Sequence, residues 1–246
     1  MNSTDTHGDV GRDRVRWLGV ADAAMLRQIA YRRILDVAAR SIEQRGRFLI
    51  VLAGGNTPRD LYRMLCGADT DWSRWQVFFG DERCLPVDAA ARNSRMAADT
   101  WLDQVPIPRD QIHAIPAELG AGAAAVAYAK TLHDVGDFDL VLLGLGEDGH
   151  VASLFPNHDW GINRDAADAL AVFDAPKPPS QRVSLSATRL SRARAVLFLV
   201  DGESKRAAVA RWRMGAGIPA RAIRPQVGVD VLVAAALLPT GVNEIR

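Results

Sequence analysis

Cysteine is scarce: Cys66 and Cys84 are the only two in 246 residues, and no CxxC pair occurs. No disulfide framework can be built from them, and a reducing compartment is expected. Net charge is nearly absent too. Lys and Arg total 30 against 29 Asp and Glu, a formal +1. No global field therefore draws the chain to nucleic acid or anionic lipid, and any anion must be held by a local site. The six tryptophans are scattered and not interleaved with a basic stripe, so a base-stacking platform has no support. Near the C-terminus the longest apolar run is Val231 to Leu238, far short of the roughly 20 residues that span a bilayer. Met1 to Arg16 is polar and lacks the apolar centre of a signal peptide. Also missing are the Gly-Lys-Ser/Thr of a P-loop, a G-x-S-x-G elbow, an HExxH and any paired His/Cys ligand spacing. The expectation is a cytoplasmic monomer with no metal, no cofactor, and neither a nucleic-acid nor a membrane partner.

What is present is ordinary globular composition, 48% apolar and 24% charged. At about 150 residues per domain the length allows roughly 1.6 domains. From Asp22 to Arg45, Leu26, Ile29, Ala30, Ile34, Val37, Ala38 and Ile42 recur at spacings of three and four, which predicts a helix with one buried face, closed by Gly46. Phe48–Ala53, Trp75–Phe79, Phe138–Leu143 and Ala195–Val200 are short apolar runs, each stopped by a glycine-bearing polar cluster. They read as buried strands. Ala121–His133 reads as a helix, and the segment after each strand is helix-compatible. Arg182–Ala187 alternates and is expected as an outer strand, after a rigid Lys177-Pro178-Pro179 loop. Strands apolar throughout and separated by helices indicate an α/β fold: a mostly parallel sheet with helices on both faces, modified Rossmann-like, in a single domain. The expected division is a flexible segment 1–16 followed by one domain, 17–246.

Four polar clusters follow directly on those strands. In an open parallel sheet the carboxyl ends of strands share one edge, where ligands bind, so clusters distant in sequence converge. Gly54-Gly55-Asn56-Thr57-Pro58 reads as a phosphate cradle. Its glycines allow close backbone approach, Asn56 or Thr57 is placed to cap the following helix, and Pro58 suits the first turn. The helix start favours an anion. A plain strand-to-helix turn accounts for the pentapeptide equally well. Gly80-Asp81-Glu82-Arg83 puts three charges at a strand end; Arg83 is expected to meet a substrate anion while an acid orients it, against the commoner surface ion pair. Gly202-Glu203-Ser204-Lys205 offers Lys205 as a second phosphate contact, a point charge that in isolation is an ordinary solvated lysine.

Gly144 to Gly149 matches G-x-G-x-x-G, yet a dinucleotide site is rejected. Asp148 would face the pyrophosphate, Pro156 leaves little room for a long helix, and the match lies mid-chain. The glycines instead present Asp148 and His150 on a tight turn. Histidine, with a reference pKa of about 6.5, takes and returns a proton near neutrality. His150 is the strongest catalytic candidate; His7, His113, His133 and His158 lack such a setting.

The run Leu140–Pro156, with Gly144, Gly146 and the Asp148-Gly149-His150 triplet, resembles the signature of the lactonase branch of the glucosamine-6-phosphate isomerase/6-phosphogluconolactonase family. Gly80–Pro86 with Asn93, Ser94 and Met96, then Ala53–Pro58, Pro178–Leu185 and Gly202–Lys205, match further blocks in family order. Ala53 and Asn56 stand where the family's cradle has serines, so those two positions carry no hydroxyl; Thr57 and the backbone remain. Ser153-Leu154-Phe155-Pro156 is the lactonase ending, where the deaminases carry Asn-Glu-Pro. The resemblance implies hydrolysis of 6-phospho-D-glucono-1,5-lactone to 6-phosphogluconate, without cofactor. It implies His150 as general base on water and Asp148 orienting it. Gly54, Gly55, Asn56, Thr57, Asp81, Arg83, Gly146, Arg182 and Lys205 are implied around the substrate and its phosphate. The rivals are a deaminase-like sugar-phosphate isomerase and a non-catalytic sugar-phosphate sensor.

Overall fold

Asp22 opens the first long helix by accepting a hydrogen bond from the Met25 N–H (2.8 Å), and Gly46, at φ 72°, closes it in the left-handed region that a β-carbon disfavours. Helix α1 spans Ala23–Arg45 and buries Leu26, Ala30, Ile34, Val37 and Ala38, as the spacing predicts. Ile29 and Ile42 lie at the margin of that face, half-buried. The computed structural model describes residues 14–239. Most of the expected flexible segment, residues 1–13, thus lies outside the described residues. Its last two members are not a tail: Val15 and Arg16 begin strand β1 (Val15–Val20), which pairs in parallel with β10 (Val229–Ala234).

The four apolar runs become β2 (Phe48–Leu52), β3 (Trp75–Phe79), β6 (Leu140–Leu143) and β9 (Val196–Val200). With the short β5 (Ile112–His113) they form a seven-stranded sheet in the order β1-β10-β9-β6-β2-β3-β5. Every pairing in it is parallel. Residues of β2, β6 and β9 are all buried, which is why these strands carry no alternation. From β2 the chain builds outward through β3 to β5, then returns to lay β6 on the other side of β2. The order therefore reverses between β2 and β6. Their register pairs Ile50 with Leu140 and Val51 with Val141, and its continuation aligns Gly54 with Gly144. A switch point of this kind opens a crevice at the carboxyl ends of the two strands.

Helices α2 (Asn56–Leu65), α3 (Asn93–Ala97), α4 (Ala121–Thr131), α5 (Ala187–Ser191) and α6 (Arg206–Arg213) fill the crossovers. Two expectations need correction. No helix follows β6; the chain runs instead into a second sheet, ordered β4-β8-β7, of antiparallel strands β4 (Asp81–Arg83), β7 (Ala169–Val172) and β8 (Arg182–Leu185). Asp81–Arg83, the charged segment that follows β3, is thus itself a strand. Arg182–Leu185 is the central strand of the small sheet and wholly buried, not an outer strand, because β4 and β7 pair with its two edges and α4 packs against it.

Three of the six tryptophans scattered in sequence converge in space. Trp75 lies 4.7 Å from Phe48, 4.8 Å from Trp72 and 5.8 Å from Trp101, ring centre to ring centre. They anchor the α2 side of the sheet, where Tyr62 joins them.

Candidate active site

Two buried tyrosines fix the strand ends that lead into the site. The Tyr62 hydroxyl accepts from Ala53 N–H (3.0 Å) and donates to Ala53 C=O (2.9 Å), beyond the end of β2. Tyr128 does the same for Phe79 at the end of β3 (2.9 and 3.3 Å). Burial pushes both phenols well above the usual tyrosine range.

After Ala53 the chain turns through Gly54 and Gly55. Gly55, at φ 106°, is the residue before α2, and no side chain caps that helix. Asn56 and Thr57 are its first two residues, so neither is the cap the sequence suggests; Pro58 sits in the first turn as expected. The leading N–H groups are left to the positive end of the helix dipole. Gly54 is required by close packing: a β-carbon there would lie 2.0 Å from Asn93 Oδ1.

Asn93 organises the charged cluster. Its Nδ2 donates to the Asp81 carbonyl and to Asp81 Oδ1, both at 2.9 Å. Asp81 Oδ2 accepts from Ser153 Oγ at 2.5 Å, tying β4 to the turn after His150. Glu82, fully buried, accepts from the N–H groups of Asn93 (2.7 Å) and Ser94 (2.8 Å), a carboxylate on the first turn of α3. Both acids therefore face inward. Arg83 hydrogen-bonds the Ala91 carbonyl and pairs with no carboxylate among the described residues, contrary to the expectation that an acid orients it. It stands opposite Arg182 across the β4–β8 pair.

The turn after β6 is closed by Gly146 N–H to His150 C=O (2.8 Å) and Gly149 N–H to Gly146 C=O (3.0 Å). Within it Asp148 Oδ1 accepts from the His150 backbone N–H (3.0 Å) and lies 2.5 Å from His150 Nδ1. Burial alone would raise the Asp148 carboxyl; the His150 N–H and the nearby imidazole outweigh it, and its pKa is lowered. An ionised carboxylate only accepts, so Nδ1 carries the proton and Nε2 presents its lone pair. The imidazole's own pKa is lowered, chiefly by burial, with Asp148 opposing and Lys177 contributing. The ring is 18% exposed and rests on Phe155, 4.7 Å between centres. Gly146 makes room for it: a β-carbon there would fall 1.9 Å from His150 Nδ1.

Arg182 is buried and already engaged. Its Nε donates to Pro179 C=O (3.1 Å), and its Nη2 to Lys177 C=O (3.0 Å) and Pro178 C=O (3.2 Å). Only Nη1 reaches toward Ser153, at 3.5 Å. Arg182 thus holds the Lys177–Pro179 loop, where the Pro178–Pro179 bond is cis. Lys205 ends a short turn after β9 and is half-buried; its ammonium makes no hydrogen bond or ion pair among the described residues. The sequence does not place Asn93 or Lys177 in the site. Asn93 figures in the sequence only as part of a matching block until β4 and the 54–55 turn meet around it, and Lys177 only as part of a rigid loop. Among the described residues no cluster of three or more His, Cys, Asp or Glu is placed to hold a metal ion, and no helix is long and apolar enough to cross a membrane.

The chain is similar to known proteins over most of its length. The family model described as glucosamine-6-phosphate isomerases/6-phosphogluconolactonase matches residues 21–232. The 6-phosphogluconolactonase of Streptomyces coelicolor is 38% identical over 216 residues, 80% of each chain. That of Mycobacterium leprae is 36% identical over 210 residues, 80% of this chain and 85% of its own. The crystal structure of 6-phosphogluconolactonase from Thermotoga maritima superposes with a TM-score of 0.82 at 26% identity, over 89% of this chain and 99% of that one. The enzyme from Trypanosoma brucei gives 0.81 at 27% identity, over 92% and 98%. With a family model over most of its length and curated relatives above one-third identity, the chain belongs to the glucosamine-6-phosphate isomerase/6-phosphogluconolactonase family.

Proposed function

We propose that this protein hydrolyses 6-phospho-D-glucono-1,5-lactone to 6-phospho-D-gluconate, the lactone step of the pentose phosphate pathway, with His150 as general base. The observation that carries the reading is the Asp148–His150 pair at the β2/β6 switch point. One ring nitrogen is fixed to a carboxylate, and the other, Nε2, has no hydrogen-bond partner among the described residues. A lactone carbonyl is electrophilic enough to be attacked by water directly. Nε2 takes a proton from that water as its oxygen bonds to C1. When the C1–ring-oxygen bond breaks, the imidazolium returns the proton to the departing oxygen. General acid–base help of this kind is worth about 10²–10⁴-fold. The lowered pKa of His150 keeps the ring neutral, and so basic, at physiological pH. Ser153 is fully buried and held by Asp81, which does not suit a nucleophile.

The phosphate is assigned to the uncapped start of α2 at Gly54, Gly55, Asn56 and Thr57, with Lys205 across from it. There a charge of about −1.5 to −2 meets free N–H groups and the helix dipole. Arg83 and the remaining face of Arg182 are like charges opposite one another on neighbouring strands. That arrangement is unfavourable by itself, and an anionic substrate or oxyanion relieves it. Asp81 and Gly146 are positioning residues, acting through Ser153 and through the seat of the imidazole. Anchoring the distant phosphate sets the carbonyl against the water.

The test is a pH-stat assay on freshly prepared phosphogluconolactone, corrected for spontaneous hydrolysis. The protein should accelerate hydrolysis, and His150→Ala should lower kcat by about 10²-fold or more while still binding 6-phosphogluconate. Absence of lactone turnover, or ammonia release from glucosamine 6-phosphate in its place, would overturn the assignment.

A further inference from the structure

The edge of the sheet opposite the catalytic turns holds a cleft of about 1140 Å³. It is lined where strands begin: Arg16 in β1, Asp139 just before β6, Arg194 before β9 and Asp230 in β10, together with Arg40 and Arg45 of α1. Its titratable lining consists of eight arginines and three aspartates. Arginine thus outnumbers aspartate in one concavity of a chain whose total is +1, with Arg192 compensated from outside the lining by Asp168 (3.1 Å).

The arrangement is more specific than the count. Two carboxylates in the floor are almost fully buried and each is shared by two guanidiniums. Asp230 is paired with Arg16 and with Arg33 (3.1 Å). Asp139 is paired with Arg45 (2.8 Å) and Arg194 (3.5 Å), and its second oxygen accepts from Leu49 N–H (2.9 Å). One carboxylate neutralises one guanidinium, so each trio retains a positive charge while its arginines are held in place. Arg40, exposed on the same wall, has no ion pair among the described residues. Val37, Trp160 and Ile218 supply apolar surface between the charges. Pre-oriented guanidiniums around a concave wall suit phosphate groups, which they bind in bidentate fashion. The volume is that of a small-molecule site, not of a flat protein interface.

We propose that this cleft is a second anion site that takes a small polyphosphate anion, one carrying two or more linked phosphoryl groups. It is separate from the substrate's phosphate cradle, because the two lie at opposite ends of the parallel strands. Inorganic tripolyphosphate is the probe, titrated calorimetrically into the full chain at 0.05 and 0.15 M salt. Binding is expected, weaker at the higher salt, and tighter than that of inorganic monophosphate. Lys205→Ala, at the catalytic edge, should leave the affinity unchanged. Arg40→Glu with Arg194→Glu should weaken it at least about tenfold, since hydrogen bonds to charged groups are involved. Arg40→Ala, which breaks no ion pair among the described residues, should weaken it by a smaller factor with unchanged thermal stability. No binding to the full chain, equal affinity for monophosphate, or loss of binding in Lys205→Ala with retention in the arginine variants would each overturn the proposal.

Discussion

Replacing Gly146 by alanine perturbs His150, the proposed general base, without touching its chemistry. The new β-carbon would lie 1.9 Å from His150 Nδ1, and ordinary contact begins at 3.4 Å, so the imidazole must retreat by about 1.5 Å from its seat. The direction of retreat is fixed by what surrounds it. Nδ1 is the atom bonded to Asp148 Oδ1, and Phe155 closes one side of the ring. The Asp148 contact therefore breaks as the ring moves. A misplacement of about 1 Å costs roughly 10²-fold, and loss of the oriented base adds to it. Gly146→Ala should thus lower kcat about 10²–10³-fold, or about 3–4 kcal/mol of barrier. Gly146 does not have a positive φ, so the backbone itself tolerates alanine and the thermal midpoint should fall only modestly. The assay is initial-rate lactone hydrolysis at several pH values beside thermal unfolding. Activity within threefold of the wild type in a folded Gly146→Ala protein would refute the claim that this glycine exists to seat the imidazole.

Three further outcomes test the remaining parts. Asp148→Asn should cost about 10²–10⁴-fold in kcat by removing the acceptor that fixes the tautomer; because Asp148 raises the His150 pKa, the acid limb of the pH–rate profile, already below the ordinary histidine value, should move lower still. An unmoved limb would mean that another group titrates. Lys205→Ala should raise KM for the phosphorylated lactone about tenfold and erode preference over unphosphorylated gluconolactone; undiminished discrimination would remove Lys205 from the phosphate site. Burial lowers the pKa values of both His113 and His150, so the unfolded chain binds more protons than the folded one between the folded values and about 6.5. Stability from these two groups is complete above about pH 6.5 and declines as the pH falls through the window below it; urea midpoints that stay flat from pH 7.5 to 5 would contradict this.

The buried polar cluster behind the site explains how turns from distant strands hold one geometry. Asn93, Asp81 and Ser153 form one hydrogen-bonded chain linking the start of α3, β4 and the segment after His150, and the Asn93 amide packs against Gly54 of the 54–55 turn. Glu82 pins the start of α3 beside Arg92, itself buried and paired with Glu118 at 2.8 Å. Networks of this kind are satisfied only when every partner is in place, which makes the cluster a positioning device for the imidazole.

By itself the sequence determined α1, the apolar strands β2, β3, β6 and β9 of the main sheet and the shared edge on which His150, Asp148 and the Gly54–Thr57 turn meet. These features are written locally, in apolar spacing, in uninterrupted buried runs and in the glycines that stop them. Tertiary structure alone decided the rest. Strands of three and four residues such as β4 and β7 hold too few positions for a period to show, and their pairing partner β8 lies about a hundred residues beyond β4. The inward direction of Asp81 and Glu82, the capture of Arg182 by three loop carbonyls and the gathering of arginines at the far edge depend on atoms contributed by other elements. A charged side chain written in sequence has no direction until those atoms arrive: its orientation is settled by which distant donors and acceptors satisfy it once water is excluded.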